Sequence, residues 1–120
     1  MSISATYDHV HRRVMARADG PVTIEQIRDH LEDERLEPGL AYSELIDARD
    51  AIPELSAADI RVLVALLRWL GERTQLGPTA VLVETDFQFG ITRMVEMLVE
   101  DVCQVKPFRS EAEAREWLKW

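Results

Sequence analysis

The stretch LIDARDAIPELSAADIRVLVALL, residues 45–67, joins two patterns of different period. Residues 42–48, YSELIDA, form a short apolar run that reads as a strand ending near Asp47. Eight residues after that run Ser56 opens a helix expected over residues 57–73. Ser56 is an N-cap, Asp59 stands at the third helical position to complete a capping box, and Leu55 and Ile60 occupy the positions of a hydrophobic staple. Ile60, Leu63, Val64, Leu67 and Leu70 make one apolar stripe, and Val62, Leu66 and Trp69 make a second one offset from it. One stripe is enough to cover a sheet, so the second needs another helix or a partner. A strand feeding a helix of this length is the first half of a βαβ unit.

The same grammar continues on both sides. TAVLVE, residues 79–84, is apolar without alternation, as expected of a strand covered on both faces. A helix follows from about Asp86, capped by Thr85 with Gln88, with a core stripe of Ile91, Met94, Val95 and Leu98. Gly90 near its start suggests a close backbone approach, since glycine there costs about 1 kcal/mol relative to alanine. CQVKPF, residues 103–108, reads as an edge strand because Pro107 is best tolerated there. Ser110 with Glu113 caps a last helix that packs Ala114, Trp117 and Leu118 inward. Upstream, residues 10–18 read as a strand with Val10, Val14, Ala16 and Ala18 on one face and His9, His11, Arg13 and Arg17 on the other. A partner strand within residues 2–7 would make a hairpin. VTIEQIRDHLEDE, residues 22–34, is a helix capped by Thr23 and Gln26, with Ile24, Ile27 and Leu31 inward and the remainder charged and outward. The resulting order, β(β)αβαβαβα, is an α/β class: a mixed, mostly parallel sheet of four to five strands with about four helices packed against it.

At 120 residues the chain suits one domain, 1–120. No apolar run approaches the roughly 20 residues that span a bilayer. MSISATYDHVHRR at the start lacks the apolar stretch of a secretion signal, and the lone Cys103 rules out an internal disulfide, so a cytoplasmic protein is expected. The net charge is −8, and residues 25–54 alone carry −7, from ten acids and three arginines. Nucleic acid is excluded as a partner, because phosphates need a basic face.

GPVTIEQI, EPGLAYSELIDARD, LVETDFQFGITRMVEML and the terminal EAREWL resemble a group of small bacterial SpoIIAA-like proteins, relatives of the STAS domain described as STAS/Sec14-like. The resemblance runs from about Tyr7 to Trp120 and implies the STAS-type sheet and helix arrangement. It also implies a regulatory module of the anti-sigma-factor-antagonist kind, often switched by phosphorylation of a serine after a strand that ends in aspartate. Asp47 matches that aspartate and Ser56 that serine. Leu55 departs from the pattern, which has aspartate immediately before the serine.

The expected site is therefore Ser56 with Asp47, Arg49, Asp50 and Asp59, on a loop of residues 49–56, docking a protein partner. The alternative is a small carrier of a lipid or other apolar ligand, as the Sec14-like resemblance implies, with Phe87, Phe89, Ile91, Met94 and Trp69 at the ligand or interface. A homodimer is expected on the same apolar surplus. His9 and His11 with a third ligand such as His30 lack any cysteine pair or H-E-x-x-H pattern, so no metal or other cofactor is expected. No G-x-S-x-G, phosphate loop or dinucleotide fingerprint is present, and acid pairs such as Asp47/Asp50 and Asp29/Glu32 are coincidences of an acidic segment, so no catalytic residue is assigned.

Overall fold

A computed structural model describes residues 3–120. Met1 and Ser2 lie outside the described residues, so the hairpin strand expected within residues 2–7 is seen from Ile3 onward. The elements are β1 (Ile3–Asp8), β2 (Arg13–Val22), α1 (Ile24–Leu36), β3 (Ser43–Pro53), α2 (Ala57–Gly71), β4 (Thr79–Leu82), α3 (Asp86–Val99), β5 (Val105–Phe108) and α4 (Glu111–Leu118). They form one five-stranded sheet in the order β1-β2-β3-β4-β5. Only β1 and β2 pair antiparallel, with Ile3 opposite Ala18 and Asp8 opposite Arg13.

Strand order and chain order coincide, so the crossover helices α1, α2 and α3 all fall on one face when each crossover is right-handed. The last helix, α4, closes the other face over Leu45, Ala80, Leu82 and Phe108, to which it adds Ala114 and Leu118. The β3 side chains divide accordingly. Leu45 joins the α4 side, and Glu44, Ile46 and Ala48 point toward the three-helix side.

The local signals for helix starts hold at atomic level. Thr23/Gln26, Ser56/Asp59 and Thr85/Gln88 each form a complete reciprocal capping box. Ser110 accepts only from the Glu113 N–H, so the fourth box is half made.

Several local expectations are corrected. The segment expected as a strand over residues 10–18 starts as a strand only at Arg13, and His9, Val10, His11 and Arg12 form the β1–β2 turn, with Arg12 at φ 56°. Val10 is therefore exposed. The same strand runs on through Gly20 and Pro21, a pair that ordinarily marks a turn: past a register shift between Arg17 and Asp19, Gly20 at φ 66° pairs with Ala51 and Pro21 with Ile52. Likewise β3 continues to Pro53, pairing Asp50, Ala51, Ile52 and Pro53 with Asp19, Gly20, Pro21 and Val22. Asp47 is thus inside a strand and not at its end, and the expected 49–56 loop shrinks to residues 54–56. On α1, His30 and Glu34 are buried with Ile24, while Ile27 and Leu31 are only half-buried.

Gly90 makes no close backbone approach either, since a Cβ built there meets nothing within 4 Å. Gly77 is the glycine held by close approach: its Cβ would strike the carbonyl oxygens of Tyr42 and Ala41, which are backbone and cannot move aside. Two substitutions should therefore move stability in opposite directions. Gly90→Ala is expected to raise it by up to about 1 kcal/mol, the ordinary helix-interior difference. Gly77→Ala is expected to lower it by about 3 kcal/mol. Urea unfolding midpoints of the two variants read both signs.

Candidate functional site

The helical layer does not close fully onto the sheet. A cavity of about 210 Å³ lies between α1, α2 and α3 and the sheet. Its floor includes Ala18, Ile46, Ala48, Ala51 and Val81, and its roof includes Leu63, Leu67, Ile91 and Val95. Three floor positions are alanines, which stop short of the helices. Ile46 and Val81, on central strands, are consequently only half-buried. Each layer packs within itself: Ile24, Ile60, Leu63, Val95 and Val99 form one cluster of helix side chains, and Ala18, Val22 and Ala51 another on the extended β2–β3 ribbon. For scale, an apolar cavity of roughly 150 Å³ holds a benzene molecule.

The wall is mostly apolar, and its ionisable side chains gather at one end. There His30 and Glu34, four residues apart on one face of α1, meet Glu44 of β3. All three are buried. His30 Nε2 lies 2.7 Å from Glu44 Oε2 and 2.8 Å from Glu34 Oε1. A single N–H cannot serve both carboxylates well, and Glu34 Oε1 is left without a hydrogen bond. Burial works against the imidazolium, but the Glu34 and Glu44 carboxylates outweigh it and lift the His30 pKa to about 10. Burial and the Glu44 charge raise the Glu34 carboxyl to about 8 against the opposing pull of His30. The Tyr7 hydroxyl is also buried without a hydrogen-bond partner, and its pKa is pushed up by burial and then by the charges of Glu34 and Glu44.

A second polar device fixes the opposite end. The β3–β4 ladder stops at Asp47 and Leu82, so the carbonyls of Arg49 and Ala51 have no strand beside them on that side. Gln88 Nε2 donates to both, at 3.1 and 2.8 Å, while Gln88 Oε1 accepts from the Glu84 and Thr85 N–H groups. The buried Gln88 side chain thus ties the extended strand to the head of α3.

The residues singled out from sequence fall in several places. Ser56 and Asp59 are together at the head of α2, where the Asp59 N–H donates to Ser56 Oγ at 3.1 Å and the Ser56 N–H to Asp59 Oδ2 at 2.9 Å. Asp47 and Arg49 pair with each other, and Arg49 reaches Glu111 of α4 at 3.9 Å. From Asp47 the strand runs six residues to Pro53 before turning toward Ser56, a path of about 20 Å along extended chain. Asp50 is bound instead to Arg17 at 2.8 Å. Of the apolar set, Ile91 lines the cavity. Phe87, Met94 and Trp69 are exposed, with Arg73 stacked on Trp69, and Phe89 lies under the Arg109 guanidinium. The inward face of α3 is Gln88, Val95 and Val99, with Ile91 and Thr92 on the cavity, so Met94 and Leu98 of the expected core stripe point out. The carboxyl of Asp47 is held below its ordinary range by hydrogen bonds from Arg49. Cys103 is half-buried against the helix cluster, and burial pushes its thiol up, away from thiolate character.

The buried trio went unnoticed in the sequence. Its one local signal is the His30/Glu34 spacing of four, which sits in a strongly acidic helix and looks like any solvated face. Glu44 is brought in only by the β2–β3 pairing, in which it lies opposite Val14.

No family model and no curated protein matches the sequence. Solved structures do match. One is an uncharacterised protein from Shewanella loihica, of the DUF3478 family and with a SpoIIAA-like fold: 20% identity, TM-score 0.62, covering 98% of this chain and 94% of that one. Another is the anti-sigma factor antagonist SpoIIAA in its unphosphorylated form: 14% identity, TM-score 0.56, covering 98% and 97%. This chain has a SpoIIAA-like α/β fold. Among the described residues no helix is long and apolar enough to cross a membrane.

The trio sets an expected pH dependence. Glu34 rises from an ordinary value near 4.5 to about 8, and His30 from 6.5 to about 10. Both folded-state values are raised, so the folded protein binds more protons than the unfolded chain in those windows, and stability falls as pH rises through them. Denaturant unfolding with a chelator present should show greatest stability near pH 5, declining toward pH 10. Glu34→Gln should remove the lower part of that decline. A stability that rises between pH 6 and 8 would contradict it.

Proposed function

We propose that this protein is a non-enzymatic interaction module that answers to a small apolar molecule held between its three-helix layer and its sheet. The observation that carries this reading is the cavity of about 210 Å³ beneath α1, α2 and α3. By proportion with benzene in 150 Å³, its occupant has about eight or nine heavy atoms. That is an indole-sized molecule, far smaller than a phospholipid. The outer faces of the helices that roof the cavity carry exposed apolar side chains: Val62 and Trp69 on α2, and Phe87, Met94, Met97 and Leu98 on α3. A protein partner docking on that surface would feel how the helices sit over their occupant. The likeness to an anti-sigma factor antagonist supports an interaction role without naming the partner.

The test is an NMR titration of the full chain with indole. Indole should shift the methyl signals of Ile46, Val81 and Ile91. Ala48→Leu, which fills part of the floor, should weaken binding about tenfold or more while keeping the fold, since adding methylenes to an existing void relieves under-packing. Phe87→Ala should leave binding unchanged. Shifts confined to the exposed side chains of α2 and α3 would sink the reading.

A second reading concerns Ser56, whose exposed hydroxyl heads α2, where a phosphate would meet free N–H groups and the positive end of the helix dipole. Against it, Asp59 already places a carboxylate on the Ser56 N–H. We propose Ser56 and Asp59 as the modifiable position, with Asp47, Arg49 and Asp50 outside it. Ser56→Ala is expected to cost about 1 kcal/mol as a lost cap, and Ser56→Asp to keep most of that stability. Partner capture that differs between these two variants beyond their stability difference would support the switch. Equal capture would leave Ser56 a cap.

A further inference from the structure

The polar end of the cavity is built like a cation site. We propose that His30, Glu34 and Glu44 bind one divalent transition-metal ion of the Zn²⁺ class, with its open side facing the apolar cavity. This proposal rests on the trio alone and not on what fills the cavity.

The donor set is the first ground. One imidazole nitrogen and two carboxylate oxygens all lie within 4.8 Å of one another. They come from two rigid elements: His30 and Glu34 from one face of α1, and Glu44 from β3. Imidazole with carboxylates is a donor set for first-row divalent metals, and three protein ligands with one position left open is the pattern of a site that also contacts a small molecule.

The second ground is the hydrogen-bond arithmetic. His30 Nε2 carries a single N–H, which Glu44 takes at 2.7 Å. Glu34, whose side chain is 5% exposed, aims Oε1 at the same nitrogen and gains no hydrogen bond there. The Tyr7 hydroxyl, close enough to feel both carboxylates, is buried and unpaired as well. A buried carboxylate oxygen without a hydrogen bond is costly. A divalent ion removes that cost, because it accepts a lone pair from each of the three donors and balances two carboxylate charges. With bonds of about 2.0–2.2 Å to each donor, the present spacings of 2.7 and 2.8 Å need to open by roughly half an ångström. The proton on Nε2 is released as the metal takes its place.

Surface histidines need a control. His9 and His11 lie in the β1–β2 turn, with Asp8 2.8 Å from the His11 ring, and weak metal binding there must not be mistaken for the buried site. The experiment uses the full chain stripped with a chelator, titrated with Zn²⁺ by calorimetry and with Co²⁺ by visible absorption. The ¹⁵N signals of the histidine side chains are followed in the wild-type protein. One equivalent is expected to bind, with the His30 Nε2 signal moving and with proton release that grows as pH falls. Glu34→Gln and Glu44→Gln should each weaken binding by about tenfold or more, since loss even of an outer-shell partner costs that much. His9→Ala with His11→Ala should leave the affinity unchanged. Because removing a member of the trio risks unfolding, the wild-type histidine signals decide independently of the variants. Movement of His9 and His11 with His30 still, or no stoichiometric binding of either metal, would overturn the proposal.

Discussion

Three crossover helices must cover a sheet whose inward side chains at positions 18, 48 and 51 are alanines. The larger helix side chains Ile24, Ile60, Leu63, Val95 and Val99 pack against one another. Moving one helix onto the floor would break that packing. The apolar space between Ile46 and Val81 below and Leu67 and Ile91 above follows directly. A protein interior normally fills such space to near crystal density. Here large residues over small ones leave a volume that benzene-sized molecules fit.

The two ends of that space are fixed by different chemistry, and both depend on the long β2–β3 ribbon. At one end the ribbon outruns β4, and the freed carbonyls of Arg49 and Ala51 are taken by Gln88. At the other, β3 delivers Glu44 to His30 and Glu34. An amide that makes four hydrogen bonds is a rigid clamp. An imidazole between two carboxylates is not satisfied in the same way, since one donor faces two acceptors. One end therefore defines the shape of the cavity, and the other is where its chemistry lies.

Most of the fold could be read from local signals, because helix starts are written in short-range chemistry. Thr23/Gln26, Ser56/Asp59 and Thr85/Gln88 each announce a helix through contacts spanning three residues. The mixed, mostly parallel α/β arrangement follows from the resulting alternation of strand and helix. What escaped is what depends on pairing between distant segments. Gly20-Pro21 has the composition of a turn, yet it is strand, because Gly20 and Pro21 pair with Ala51 and Ile52 of the distant β3. For the same reason Asp47 looked like the end of a strand that in fact runs to Pro53. The face of α3 was misjudged because its most deeply seated residue near the start is a glutamine, so the apolar pattern around Met94 and Leu98 drew the stripe about one position off. His30 and Glu34 look like two more charges on a charged helix until Glu44 arrives from β3.

The direct test of the central claim is a crystal of this protein held under xenon pressure. Xenon binds apolar space and asks nothing of polar chemistry or of any partner. A xenon peak in contact with Ile46, Val81 and Ile91 is the expected result. A structure with no xenon there, and with Ile91 packed directly onto Ile46, would contradict the claim that the helical layer stands off the sheet.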